Sequence, residues 1–142
     1  MLVRLLYASR AVDTTPAAID AICASARQHN AEQGVTGVLV FGGSIFMQVL
    51  EGGRQIVSDL YGVIQRDARH KDVVLLHYEE ITERRFGGWT MGMVNTSRIN
   101  PSTLLKYSEQ AELNPYLVTG KVSMALIEEL MATASVAGHP GR

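Results

Sequence analysis

Gly34-Val35-Thr36-Gly37-Val38-Leu39-Val40-Phe41-Gly42-Gly43-Ser44-Ile45-Phe46-Met47-Gln48-Val49-Leu50-Glu51 is the stretch whose reading decides the fold. Two runs rich in β-branched and aromatic residues, 35–41 and 44–51, flank Gly42-Gly43 and read as an antiparallel hairpin around a two-residue glycine turn. Upstream, Gly34 stops a helical pattern that opens at Thr15-Pro16, where threonine caps and proline occupies a first-turn position that needs no N–H. Ile19, Ile22, Cys23 and Ala26 fall on one face of that helix, and Asn30 is the next position on the same stripe. Before it, residues 2–9 form a short apolar run with Arg4 as its only charge, a first strand.

Downstream, Gly52-Gly53 separates the hairpin from a second helix in which Val57, Leu60, Tyr61, Ile64 and Ala68 keep the helical period, with an end expected near Arg69-His70. Strands over 73–81 and 89–95, joined by a charged, glycine-containing connection, complete the order βαββαββ. The economical arrangement is a ferredoxin-like α+β sandwich, a mainly antiparallel sheet with two helices on one face. Asn100-Pro101 and Asn114-Pro115 each set a capping residue before a proline and predict two more helices, which would cover the other face. On the last of these, Leu117, Met124, Ile127 and Met131 form one stripe and Val118, Val122 and Leu126 a second, a surplus of apolar surface that suits a second subunit. Residues 132–142 are small, contain glycine and proline, and read as a loose tail.

The composition narrows the function by exclusion. The 142 residues hold 13 Lys+Arg against 14 Asp+Glu, a formal net charge of -1, so no broad basic field exists for nucleic acid. The single cysteine, Cys23, cannot form an internal disulfide, and no apolar run approaches the roughly 18 residues of a membrane span. The N-terminal residues lack the pattern of a signal peptide, and the expectation is a cytoplasmic protein. No GxSxG elbow, Walker loop, GxGxxG fingerprint or HExxH helix is present. Gly34 to Gly37 matches a GxxG clamp in form but leads into a strand, and histidines 29, 70, 77 and 139 share no metal-ligand spacing.

The informative residues break the pattern of their own element, because a buried polar group needs partners. Alternation places Gln48 between Phe46 and Leu50 on one face of its strand, and Tyr7 on the face of Val3 and Leu5. Asn30 continues the core stripe of the first helix, and Asp67, Arg69 and His70 gather after the second. Each has an ordinary explanation: a rim tyrosine, an amide capping loose backbone, a helix terminator, a surface ion pair. Together they come from two strands and two helices that this fold brings around one space, a polar-lined pocket with aliphatic walls from Ile22 and Ile64.

Five blocks carry a resemblance: LVRLLYAS, Asn30 ahead of GVTGVLVF, IFMQVLEG, IQRDARH and RRFGGWTMGM. With their order and spacing intact, the chain resembles the BLUF domain, a blue-light sensor that binds FAD, in its short single-domain form. The resemblance implies a sensor over residues 1–97, a helical extension over 98–131 and a tail over 132–142. It makes Tyr7 the electron and proton donor to the flavin and Gln48 the amide between that phenol and the ring edge. Asn30 would bond the ring's polar edge, Ile22 and Ile64 would clamp its faces, and Asp67, Arg69 and His70 would stand at the polar rim with Ser9 close by. Trp89 and Met91 match a pair on the last strand, where alternation puts them on one face, and from there a change at Gln48 would pass to the C-terminal helices. The implied protein is not an enzyme, acts through an unnamed signalling protein in trans, and forms a homodimer. Two other readings stay open on the residues alone: an acylphosphatase-like hydrolase, whose glycine-rich phosphate loop residues 7–10 do not supply, and a ligand-free dimerisation module.

Overall fold

A computed structural model describes residues 1–133. Five strands and four helices follow in the order β1 (Leu2–Ala11), α1 (Pro16–Glu32), β2 (Thr36–Gly42), β3 (Ile45–Gly53), α2 (Arg54–Arg66), β4 (His70–Ile81), β5 (Gly92–Asn95), α3 (Pro101–Leu105) and α4 (Gly120–Thr133). The sheet order is β4-β1-β3-β2-β5, antiparallel except for the β2/β5 pair, which is the ferredoxin-like layout with one strand added beside β2. Thr15 caps α1 as expected, its Oγ1 accepting from the Ala18 amide at 3.3 Å.

The two faces of the sheet separate as alternation requires. Val3, Leu5, Tyr7, Phe46 and Leu50 pack under α1 and α2, where Ile19, Ile22, Cys23 and Val57 meet them. Leu6, Val40, Met47 and Val49 point the other way and are covered by Leu104 of α3 and by Leu126, Ile127 and Leu130 of α4. Burial pushes the Cys23 thiol up to about 11, so it serves as a small apolar side chain.

Local boundaries differ from the expectations where a turn intervenes. The hairpin loop is Gly43-Ser44, not Gly42-Gly43, because Gly42 still pairs with Ile45 and Gly43 takes the positive φ of 59°. Gly52-Gly53 belongs to β3, and α2 stops at Arg66, so Ala68 lies past it and His70 already opens β4. Asn114 caps only a 3-10 turn, Pro115–Leu117, and α4 starts later, where Thr119 Oγ1 accepts from the Val122 amide at 3.1 Å. Leu117 is therefore off the last helix and 76% exposed, while much of that helix's broad apolar surface is spent on its own sheet. Ala132 and Thr133 finish α4 instead of starting a tail. Residues 134–142, the remainder of the expected tail, and His139 with them, lie outside the described residues.

Gly37 marks the tightest point of the sheet. A Cβ there would stand 1.9 Å from the Val49 carbonyl oxygen, and the backbone at φ 157° gives it no room to turn away. Gly37→Ala is expected to lower stability by about 2–3 kcal/mol in urea unfolding. A loss below about 0.5 kcal/mol, the range of ordinary surface changes, would refute this account of the β2/β3 approach.

Candidate functional site

The helix-side core is not filled between α1 and α2. A cavity of about 380 Å³ opens there on a floor of Tyr7, Leu39 and Gln48 from three neighbouring strands. Ile22, Ala26 and Asn30 of α1 and Leu60, Val63 and Ile64 of α2 form its walls, and Asp67, Arg69 and His70 stand at one end. The structure thus brings together eight of the residues singled out in the sequence. Ser9 does not line the cavity but stands behind it, its Oγ 2.9 Å from His70 Nδ1.

Strand register creates the central contact. Tyr7 and Gln48 are direct partners in the β1/β3 ladder, and the Tyr7 hydroxyl donates to Gln48 Oε1. The other end of the amide, Nε2, donates to Met91 Sδ at 3.4 Å. Burial, reinforced by the negative charge that Tyr61 and Asp67 would bring, holds the Tyr7 hydroxyl far above the usual phenol range, so in the resting fold it keeps its proton. The Tyr61 ring, tilted by 48° at 5.6 Å between centroids, closes the other side of the phenol.

Asn30 carries the clearest mark of a ligand site. It is 2% exposed, and its Nδ2 has no hydrogen-bond partner. An orphaned buried donor costs about 1–3 kcal/mol, and here it lines a cavity. A flat heterocycle with acceptor atoms on one edge and apolar faces fits this donor set: Asn30 and Gln48 at the edge, Ile22 and Ile64 as walls. At the rim, Arg69 grips Asp67 through Nη2–Oδ2 at 2.7 Å, and hydrogen bonds from Arg69 hold the Asp67 carboxyl below its usual range. Among the described residues no group of His, Cys, Asp or Glu is arranged to hold a metal ion, and no helix is long and apolar enough to cross a membrane.

Trp89 and Met91 require a correction. They do not lie on the last strand or share a face of it, since β5 begins only at Gly92. Gly87-Gly88 forms a turn closed by the Trp89 amide on the Phe86 carbonyl at 3.1 Å, so strict alternation does not reach these residues. Met91 is fully buried in the helix-side core beside Gln48, whereas Trp89 packs against the core on the opposite side of the sheet. Ser25, His29, Gln33, Asp59 and Val63 also line the cavity and were not anticipated. They flank the stripes already recognised on α1 and α2, and widening each stripe by one column would have found them.

A small α+β domain with a cavity between its first two helices, a buried Tyr–Gln pair and an orphaned amide is a ligand-binding domain by architecture. Comparison with known proteins agrees. The family described as "BLUF: Sensors of blue-light using FAD" matches residues 2–92, and the chain belongs to this family. The blue light- and temperature-regulated antirepressor BluF of Escherichia coli is 39% identical over 88 residues, 61% of this chain and 22% of that protein. The photoactivated adenylate cyclase subunit beta of Euglena gracilis is 38% identical over 74 residues, 51% of this chain and 9% of that one. The chain thus spans less than a quarter of these relatives, and the shared part is the flavin-binding sensor, not an enzyme. The photo-activated state of BlsA superposes with a TM-score of 0.84 at 31% identity, covering 95% of this chain and 97% of that one. The dark-state structure of BlrB, a BLUF protein, gives 0.76 at 30% identity over 94% and 97%. The hydrolase reading falls on the same ground, and residues 7–10 are plain strand within β1.

His70 supplies a pH test of the rim. Burial lowers its proton affinity below the ordinary value near 6.5, the Asp67 carboxylate opposes this, and the Arg69 charge reinforces it. The unfolded chain therefore binds a proton that the fold resists, so the stability due to neutral His70 is complete above about pH 6.5 and is lost as pH falls through the depressed value. Melting temperature is expected to drop between about pH 7.5 and 5.5, and His70→Gln to flatten that slope. An unchanged slope in the variant would assign it to other groups.

Proposed function

We propose that this chain is a blue-light photoreceptor that holds FAD non-covalently between α1 and α2 and reports light through the hydrogen bonds of Gln48. The observation that carries this reading is the buried chain Tyr7–Gln48–Met91, whose first two members lie on the floor of the cavity. When bound, the flavin supplies the blue absorption and the electron acceptor.

The residues divide the remaining work. Asn30 and Gln48 hold the polar edge of the ring, Ile22 and Ile64 hold its faces, and Asp67, Arg69 and His70, backed by Ser9, close the rim. Tyr7 would be the residue that gives an electron to the bound flavin and takes it back, and its hydroxyl proton would leave toward and return from Gln48 Oε1, the acceptor it touches. An amide has an acceptor at one end and a donor at the other, so rotation or tautomerisation of Gln48 exchanges what Tyr7, Met91 and the bound ring receive. The bond that Gln48 gives the ring would tune its absorption, and thermal return of the amide would restore the resting arrangement.

The output leaves through Met91. Its sulfur contacts the Gln48 amide, and the next residue starts β5, which runs through the 3-10 turn Thr96–Arg98 into α3. We assign residues 1–97 to the sensor and the elements after 98 to the output, with a second copy of the chain and a downstream signalling protein as recipients. Leu105 and Leu117, 52% and 76% exposed, are apolar groups that the C-terminal elements leave uncovered for such contacts. Trp89, across the sheet from Gln48, takes part only if the segment turns over as a whole.

Tyr7→Phe and Gln48→Leu are expected to keep bound flavin and to lose the reversible red shift in the light-minus-dark absorbance spectrum. A normal photocycle in either would remove the roles assigned here, and protein that stays colourless after FAD addition would remove the whole reading. Asn30→Ala is expected to weaken FAD binding about tenfold in equilibrium titration, the loss of one buried hydrogen bond. Met91→Ala should keep the red shift while reducing light-dependent hydrogen exchange in α3 and α4, and undiminished exchange there would break the relay.

A further inference from the structure

Glu51 is fully buried, charged and outside the cavity. Three residues along β3 from Gln48, it faces the opposite side of the sheet and binds what lies there. Arg4, paired with it in the β1/β3 register, reaches Oε2 through Nε at 2.8 Å and Nη2 at 2.7 Å. The same oxygen accepts from the Arg85 amide at 3.0 Å, and Oε1 accepts from the Phe86 amide at 2.6 Å. Arg84 Nη1 adds bonds to Thr36 Oγ1 at 2.9 Å and to the Glu51 carbonyl at 3.3 Å. A carboxylate removed from water is stable only with such partners, and here two of them are backbone amides of one loop.

That loop is the one that delivers Met91. The Glu51 carboxylate fixes its root at 85–86, and the Gly37 amide fixes its far end by donating to the Trp89 carbonyl at 3.0 Å. Arg27 Nε lies 3.4 Å from the Met91 carbonyl and adds a third point. Phe86 and Trp89 pack on the α3/α4 face and Met91 on the α1/α2 face, so the chain crosses just after Trp89, and the place of Met91 Sδ against Gln48 depends on the loop being held at its root as well as at these later points. We propose that Glu51 is a positioning residue for the Met91–Gln48 contact, acting through the Arg85 and Phe86 amides. This deepens the reading of Gln48 as the light switch and rests on it for its functional meaning, though not for its geometry.

Glu51→Gln separates the anchor from mere burial. The amide oxygen can keep the Arg4 and Arg85 donors, but the NH2 then faces the Phe86 N–H, donor against donor, and releases that bond. Flavin-loaded full-length protein with 13C-methyl methionine is the probe, Met91 being assigned by Met91→Leu. The Met91 methyl resonance is expected to move while those of Met47 and Met124 stay, amides 86–91 to exchange about tenfold faster, and dark recovery of the red shift to change about threefold or more. Glu51→Asp, which keeps the charge but shortens the reach, should act in the same direction and serves if Glu51→Gln does not fold. Unmoved Met91 and unchanged exchange at 86–91 would overturn the proposal, as would Met47 and Met124 moving as much as Met91, the mark of general loosening. If Met91 moves in the variants but illumination leaves the wild-type resonance unchanged, the positioning stands and the switch reading falls.

Discussion

The register of β1 against β3 is the constraint on which the rest depends. It sets Tyr7 opposite Gln48 and Arg4 opposite Glu51, one polar pair on each face of the same two central strands. Because side chains alternate with a period of two, a slip of one residue would exchange the faces and destroy both pairs at once. The polar pairs therefore specify the register they need, while apolar neighbours such as Leu5, Leu6, Val49 and Leu50 supply the burial that stabilises it. The core and the site are one construction, and the ligand cavity exists because α1 and α2 leave the Tyr7–Gln48 face partly uncovered.

The two faces divide the labour. On the helix side the polar groups are arranged with capacity left over: Asn30 Nδ2 has no partner, and Gln48 can offer either end. On the other side Glu51 has its donors within hydrogen-bond reach. Partial satisfaction is what a binding and switching site needs, and fuller satisfaction is what a fixed support needs. The same chemistry, a buried polar residue in a central strand, yields either outcome according to how many partners surround it.

Much of this was legible in the chain. Alternation in residues 2–9 and 35–51, the helical stripes carrying Asn30 and Ile64, and the polar cluster after the second helix pointed to the sheet, its faces and eight cavity residues. What escaped reading has definable causes. Gly87-Gly88 interrupts the strand period, so alternation misplaced Trp89 and Met91 on a common face. A capping asparagine marks a turn of any length, so Asn114 pointed to a helix where only three residues of 3-10 turn follow. Glu51 closes an apolar run as Gln48 interrupts one, but a charge at the end of a strand looks like an exit to solvent, and only the loop folded over it reveals that it is buried. His29 and Asp59 sit beside the apolar stripes of their helices and carry no periodic signal of their own.

The outermost strand gives the molecule an asymmetry. β5 is four residues long and hangs on β2 alone, whereas β1 and β3 are held on both sides along most of their length. Displacing it breaks few backbone bonds and leaves the centre of the sheet intact, so the interior behaves as a stationary frame and this rim as its moving part. The chain places the rim between the cavity and the C-terminal helices, so the cheapest deformation of the fold lies on the path a message must take.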